Sequence, residues 1–538
     1  MRKCFLHIAI LLLILSAHSQ PAAITIDPSK TERPKLIIGL VVDQMRWDYL
    51  YRYYDRYAEN GGFKRLLNNG FSCENAFVNY LPSVTACGHA AIFTGSVPAV
   101  NGITGNDWWD YKINDFLYCS ADDSVNTVGS NTASGKMSPR NLLVTTIGDE
   151  LKIATNSRSQ VFGIALKDRG AILPAGHSAD AAYWYDDKTG DWISSTYYMN
   201  VLPAWVTAIN NRKMVDSCYR QGWKLLYPFE TYTQSYTNKV SFGYDLTGNI
   251  GRNYGFLRVI PQGNSLTISM AESLIENEHL GTDEDADLLT ISFSTPDYAA
   301  HTFGPNSMEA EDIFLRLDKE LGQFLDYLDK RIGKDQYLLF LTADHGGAHV
   351  PSFLKMNHIP AGNVAVETIY NELNSLLGEK YKVQNLCMTV ANYQVYLDRD
   401  SIAKHQLNLD LVGKFCIDYL LKQPGIENAF LQKDIDKITI PSKLKEMVRA
   451  GYYESRSGDI QLIFQPQWIE GWMGGGTTHG VFNPYDTHIP LLFYGWNIKP
   501  GKLYKEVNIT DIVPTVSSLL NIQMPSGNTG KAISALWE

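Results

Sequence analysis

Residues 336–347 read Gln-Tyr-Leu-Leu-Phe-Leu-Thr-Ala-Asp-His-Gly-Gly, an unbroken apolar run that ends in an acid and an imidazole. A strand apolar on both faces is covered on both sides, the condition of a strand inside a mostly parallel sheet. The pattern recurs. Residues 35–42 (KLIIGLVV) lead into Asp43, residues 160–166 (QVFGIAL) into Lys167-Asp168-Arg169-Gly170, and residues 287–293 (DLLTISF) into Ser294-Thr295-Pro296-Asp297. Residues 489–494 (IPLLFY) complete the set. Between the runs lie helical patterns. Residues 309–330 place Ile313, Leu317, Leu321, Phe324 and Leu328 on one stripe, and Thr510 or Asp511 can cap a helix through 513–520. The alternation predicts an α/β fold: a doubly wound, mostly parallel sheet with helices on both faces. Ligands of such sheets bind beyond the carboxyl ends of the strands, where these Asp, His, Lys and Arg residues gather.

The rest of the chain narrows the class. At 538 residues and 45% hydrophobic content it can bury a large core. Net charge is −10 with no Lys/Arg run, which argues against nucleic acid or an anionic membrane as partner. Arg2 and Lys3, the apolar stretch 5–15 and Ala17-His18-Ser19 have the layout of a cleaved signal peptide over residues 1–19, so export to the periplasm is expected. No later stretch is long and apolar enough to span a membrane. Six cysteines remain (Cys73, Cys87, Cys119, Cys218, Cys387, Cys416), and in an oxidising compartment one or more disulfides are expected among them. The mature region, 20–538, reads as one catalytic domain with two insertions. Residues 171–285, rich in Tyr, Trp, Gly and Asn, suggest a cap; residues 380–470 suggest a small α+β subdomain facing away from the chemistry. Nothing in the sequence demands a partner subunit, and a monomer is expected.

Four short segments supply candidate metal ligands: Asp43; Asp297 and His301 in P-D-Y-A-A-H; Asp344 and His345; and His479 in G-G-G-T-T-H-G. The Asp297/His301 spacing puts both on one face of a helical turn. Three carboxylates and three imidazoles suit zinc, whereas an all-oxygen set would suit magnesium or calcium. Each motif alone has an ordinary structural reading, a turn or a helix cap; their convergence on one sheet edge is what favours ligation. His89, His177, His349 and His488 lie near these motifs and are read as supporting or structural. His279, His358 and His405 are read as surface or packing residues.

Residues 80–95 (YLPSVTACGHAAIFTG) predict a helix starting near Thr85, after Pro82. A hydroxyl at a helix N-terminus sits where negative charge is favoured, which suits a phosphorylated intermediate, although Thr is also a common cap and Ser83 is a rival hydroxyl. A bound zinc lowers the pKa of a coordinated oxygen and so removes the need for a separate base. If the chain stays extended after residues 160–166, Lys167 and Arg169 share a face and converge on a phosphoryl group. Asn106, in N-G-I-T-G-N-D-W-W, adds a neutral donor or is simply a turn residue.

Taken together, these motifs resemble the alkaline phosphatase superfamily, in particular the bacterial periplasmic zinc phosphatases of the phosphate-irrepressible type. The resemblance runs from K-L-I-I-G-L-V-V-D-Q-M-R to D-I-V-P-T-V-S-S-L-L. It implies two zinc ions per chain, one on Asp43, Asp344 and His345, the other on Asp297, His301 and His479, with His488 a competing candidate for the late ligand. It implies Thr85 as the nucleophile that bridges the metals when phosphorylated, and Asn106, Lys167 and Arg169 as holders of the phosphoryl oxygens. Sulfatases of the superfamily need C-x-P-x-R, and Cys87 lies in T-A-C-G-H instead. The Lys167–Arg169 pair favours small phosphate monoesters, whose terminal group carries about two charges. The alternative is an exported phosphodiesterase or nucleotide pyrophosphatase with the same zinc site.

Overall fold

Strands that are apolar on both faces have to be covered on both faces, and the central sheet is built that way. The computed structural model describes residues 33–233, 239–471 and 476–537; the expected signal segment, 1–19, lies outside them. Among the described residues ten strands form one sheet. In chain order they are β1 (Leu36–Val42), β2 (Phe71–Cys73), β3 (Thr127–Val128), β4 (Val161–Ala165), β5 (Ala181–Asp186), β6 (Asp191–Ser195), β7 (Asp287–Phe293), β8 (Tyr337–Thr342), β9 (Leu491–Gly495) and β10 (Gly501–Leu503). They lie side by side as β10-β2-β9-β8-β1-β7-β4-β5-β6-β3. The centre, β8-β1-β7-β4-β5, is parallel throughout. Every residue of β1, β4, β7 and β8 is buried, and each large apolar side chain so removed from water contributes about 1.5–3 kcal/mol.

Five helices matter for the site: α1 (Thr85–Thr94), α2 (Asp168–Ala175), α3 (Thr295–Phe303), α4 (Met308–Leu328) and α5 (Ile512–Leu520). Gly39 of β1 is in register with Thr290 and Phe340, and Thr290 with Gly163, so all four point to one face. A Cβ on Gly39 would lie 2.8 Å from Phe93 of α1, and one on Gly163 2.2 Å from the Ala171 carbonyl of α2. Missing side chains at these two strand positions let α1 and α2 seat directly on the sheet. Leu36, on the opposite face, packs around Gly281 with Ile332, just beyond α4. Helices therefore cover both faces.

The structure departs from the sequence reading in several places. The run 489–494 does yield a strand, but β9 pairs with β8 antiparallel, so the sheet is mixed, with antiparallel strands flanking a parallel centre. The segment 171–285 does not stand apart as an insertion: β5 and β6 extend the central sheet, because Ala181–Asp186 is a second fully buried run. Residues 387–464 contribute a four-stranded antiparallel sheet, in the order Cys387–Ala391, Gln394–Leu397, Ile460–Phe464, Ile426–Leu431, with a core around Leu373, Val395, Val412 and Leu462. All six cysteines are unpaired, and five of them are buried, against the expectation of a disulfide. Among the described residues no helix is long and apolar enough to cross a membrane.

Candidate metal centre and active site

Because β1, β7 and β8 run parallel and in register, the residues just past their carboxyl ends meet. The Asp43 N–H continues the ladder by donating to the Phe293 carbonyl at 3.1 Å. Asp344 and His345 follow β8, and α3 begins directly after β7, carrying Asp297 and His301 one turn apart. The donor atoms of Asp43, Asp344 and His345 lie within 4.8 Å of one another, and so do those of Asp297, His301 and His479. The two groups adjoin. The His345 and His479 rings stack with centroids 3.5 Å apart, and Lys167 Nζ lies 2.6 Å from a carboxylate oxygen of each group, on Asp43 and Asp297.

The donor set fits two metal ions on three counts. Each histidine places Nδ1 at 2.8 Å from a backbone carbonyl: Gly346 for His345, Thr477 for His301, Ser83 for His479. A carbonyl only accepts, so Nδ1 carries the proton and Nε2 presents its lone pair inward, as in metal-binding histidines. Second, Asp43 Oδ1 and Asp344 Oδ2 are buried acceptors that receive no hydrogen bond among the described residues, a costly condition that a cation relieves. Third, the charges do not balance. Burial and then Asp344 push Asp43 well above the usual carboxylate range, while burial and then His345 hold His479 well below the usual imidazole range. His345 is also lowered, chiefly by burial, so neither stacked ring carries a proton to spare. Burial alone would raise Asp297, but His301 and Lys167 overcome it and hold it well below its usual value. Burial alone would lower His301, yet Asp297, 3.1 Å from its Nε2, raises it.

Thr85 opens α1. Val84 before it is extended (φ −128°, ψ 160°), so the chain turns into the helix at the hydroxyl itself. Thr85 Oγ1 lies 3.3 Å from Lys167 Nζ and 3.4 Å from His345 Nε2, beside the first donor group and the lysine that reaches both. The rival Ser83 is spent elsewhere, donating to the Val481 carbonyl at 2.9 Å. Gly88, one turn further, lets α1 press against Asp344, where a Cβ would lie 2.5 Å from the Asp344 Cβ and carbonyl oxygen. Asn106 Oδ1 accepts the Ala86 N–H at 2.9 Å; its NH2 is thereby left as the donor.

Lys167 and Arg169 do not share an extended face as the sequence reading expected. Lys167 is extended (φ −87°, ψ 129°), but α2 begins at Asp168, an acid in a first helical turn, so Arg169 already lies on the helix. Lys167 reaches Asp43, Asp297 and Thr85, whereas Arg169 Nη1 donates to the Tyr118 hydroxyl at 3.1 Å. Arg169 is still close enough to oppose the Lys167 charge.

Other histidines divide. His488 is stacked between Trp47 and Phe77 and bonds the Glu74 carbonyl, away from both groups. His349 pairs with Asn306 and Arg46, and His177 with the Val144 carbonyl. His89 is different: its Nδ1 donates to the Thr85 carbonyl at 2.9 Å and lies 3.3 Å from Asp344 Oδ2, and its Nε2 meets Ser292. Three residues at the site have no sequence signal. The Gln44 side-chain amide donates to Asp297 at 2.6 Å and its backbone N–H to Asp344 at 3.1 Å, tying the groups together from a left-handed backbone (φ 62°) that costs about 1–3 kcal/mol. Asp486 accepts the N–H groups of Gly480 and Val481 and so clamps the His479 loop. Tyr393 donates to the His479 carbonyl at 2.7 Å, so the 387–464 subdomain touches the site rather than facing away from it.

Residues 37–481 match the family model described as type I phosphodiesterase / nucleotide pyrophosphatase. Alkaline phosphatase PhoV of Synechococcus elongatus is 48% identical over 97% of this chain and 97% of its own. A Myroides odoratus protein named calcium-transporting ATPase is 49% identical over 94% of this chain and 95% of its own. The crystal structure of alkaline phosphatase PafA superposes with a TM-score of 0.92 at 45% identity, covering 94% of this chain and 99% of PafA. A PafA variant changed at one threonine, one asparagine, one lysine and one arginine gives 0.91. The chain belongs to the type I phosphodiesterase / nucleotide pyrophosphatase family and, within it, to the PafA-like alkaline phosphatases.

Proposed function

We propose that this protein is an exported, periplasmic phosphate-monoester hydrolase that uses Thr85 as its nucleophile at a two-zinc site. The observation that carries the reading is the position of Thr85 Oγ1, 3.3 Å from Lys167 Nζ and 3.4 Å from His345 Nε2, at the helix N-terminus where the two donor groups adjoin. Asp43, Asp344 and His345 would hold one ion and Asp297, His301 and His479 the other; mixed imidazole and carboxylate sets suit zinc. Bound there, the ions supply Lewis acidity that lowers the pKa of the attacking hydroxyl and stabilises charge on the leaving oxygen.

The chain's own residues do the rest. Thr85 attacks phosphorus in line, the P–O bond to the leaving oxygen breaks, the phosphoryl group passes to Oγ1, and the proton lost from the hydroxyl ends on the departing alcohol. Water then attacks from the opposite face, releasing phosphate and returning the hydroxyl. The α1 N-terminus favours the added negative charge. Asn106, with its carbonyl oxygen held by Ala86, donates from its NH2 to a phosphoryl oxygen. Buried Lys167 and half-buried Arg169 supply two cations for the others, and two cations match a dianionic monoester better than a monoanionic diester.

Hydrolysis of an aryl phosphate and of its methyl diester, with metal analysis of the same sample, tests the reading. Monoester preference, about two zinc ions per chain and loss of monoesterase in Thr85→Ala are expected. A preference for the diester would establish the phosphodiesterase alternative instead.

A further inference from the structure

The function proposed above gives Arg169 a phosphoryl oxygen to hold, but a guanidinium at a helix start has freedom to swing unless something aims it. We propose that Tyr118 is the residue that positions Arg169, and that the hairpin carrying it sets the monoester preference by fixing Asn106 and Arg169 relative to each other.

The hairpin pairs Asp107–Asp110 with Asp115–Tyr118, and its base closes on the site. Asp107 is opposite Tyr118 in the register, and the Cys119 N–H donates to the Asn106 carbonyl at 2.9 Å. Asn106 and Tyr118 are thus locked together by backbone. The Tyr118 hydroxyl accepts from Arg169 Nη1 at 3.1 Å and donates to Asp168 Oδ1 at 2.9 Å. A hydroxyl has one proton and two lone pairs, so giving the proton to Asp168 leaves oxygen lone pairs facing Arg169. Asp168 therefore fixes the sense of the bond. The Arg169 Nε–H is buried and makes no hydrogen bond among the described residues. That donor, aimed and unspent, is what a ligand oxygen would accept. Asn106 arrives by the same hairpin, its amide held at the first turn of α1 by the Ala86 N–H. One rigid unit thus sets the distance between two donors that would grip different phosphoryl oxygens.

Removing the hydroxyl leaves the ring and its packing but frees the guanidinium. Tyr118→Phe should lower kcat/KM for an aryl phosphate roughly tenfold, as expected for loss of a hydrogen bond to a charged group. The methyl diester, which engages the Lys–Arg pair less, should change by no more than about twofold, so the monoester-to-diester ratio falls. Affinity for inorganic phosphate, read as an inhibition constant, should weaken by a similar factor. In an Arg169→Ala background the same change should have no further effect, because the residue it aims is gone. Asp168→Asn, which weakens the acceptor that orients the hydroxyl, should show a smaller effect in the same direction. A Tyr118→Phe protein that melts like wild type but keeps the wild-type ratio would overturn the positioning role. So would full additivity with Arg169→Ala, or equal losses on both substrates. If Arg169→Ala itself leaves phosphate affinity and monoesterase intact, the phosphoryl-clamp reading fails with it.

Discussion

Gly88→Ala pits two effects of opposite sign against each other. Glycine inside a helix costs about 0.5–1 kcal/mol relative to alanine, so α1 on its own would gain by the change. The new methyl, however, would sit 2.5 Å from both the Cβ and the carbonyl oxygen of Asp344, about 0.9 Å short of the 3.4 Å where ordinary contact begins. Asp344 is buried at the end of β8, beside β1, and its backbone has little room to retreat. The helix must yield instead, carrying Thr85 away from His345 and Lys167. Overpacking of this size costs about 1–3 kcal/mol, more than the helix gains. A shift near 1 Å in a reacting group costs about 100-fold in rate. The expected result is a net loss of stability of up to about 2.5 kcal/mol and a fall of about two orders of magnitude in kcat with aryl phosphate. Thermal melting and steady-state kinetics read the two quantities. Gly248→Ala, whose Cβ would meet nothing within 4 Å, is the control and should be close to silent. A Gly88→Ala enzyme that is more stable and retains kcat within twofold would refute the tight seating of α1 on Asp344.

Three further outcomes follow from other parts of the molecule. Burial pushes the Glu320 carboxyl up to about 7, above its unfolded value near 4.5, so its contribution to stability is full below pH 4.5 and lost as pH rises through 7. Glu320→Gln should therefore flatten the decline in unfolding free energy between pH 5 and 8, by about 1–3 kcal/mol at the upper end, read from denaturant melts; an unchanged pH profile would contradict it. Tyr393→Phe removes the bond to the His479 carbonyl and should speed loss of metal to a chelator by about tenfold, measured by zinc release. Chelation should abolish activity and zinc restore it at pH 8, whereas below about pH 6 protons compete for the histidine Nε2 atoms and restoration should weaken; activity that ignores chelator would exclude the metal site.

The sheet centre was readable because apolar runs that end in polar residues mark buried parallel strands, and the same pattern pointed to Asp43, Asp344 and His345; Asp297 and His301 came from their helical spacing and His479 from its glycine-rich loop. Periodicity likewise located α4, within two residues of its ends, and α5. Direction was not readable: residues 489–494 have the same local pattern whether β9 runs with β8 or against it. The shared face expected for Lys167 and Arg169 does not form, since the start of α2 at Asp168 turns an extended spacing into a helical one. Gln44, Asp486 and Tyr393 were missed because each acts through a backbone or long-range contact that no neighbouring residue announces. His89 was noticed but not its place behind Thr85, which depends on how α1 packs against β7 through Ser292.

The two donor groups are each assembled from distant chain: Asp43 joins Asp344 and His345, and His479 joins Asp297 and His301. An unfolded chain can offer only a neighbouring pair at a time, never a complete set, so under the proposed two-metal reading a divalent ion would bind the folded protein far more tightly than the unfolded one. Metal supply then acts as a thermodynamic vote for the native state, worth about 2.7 kcal/mol at a free concentration 100 times the dissociation constant. On that reading, a cell short of the ion would lose the protein as well as its activity, because a metal-poor chain would open more often to proteases.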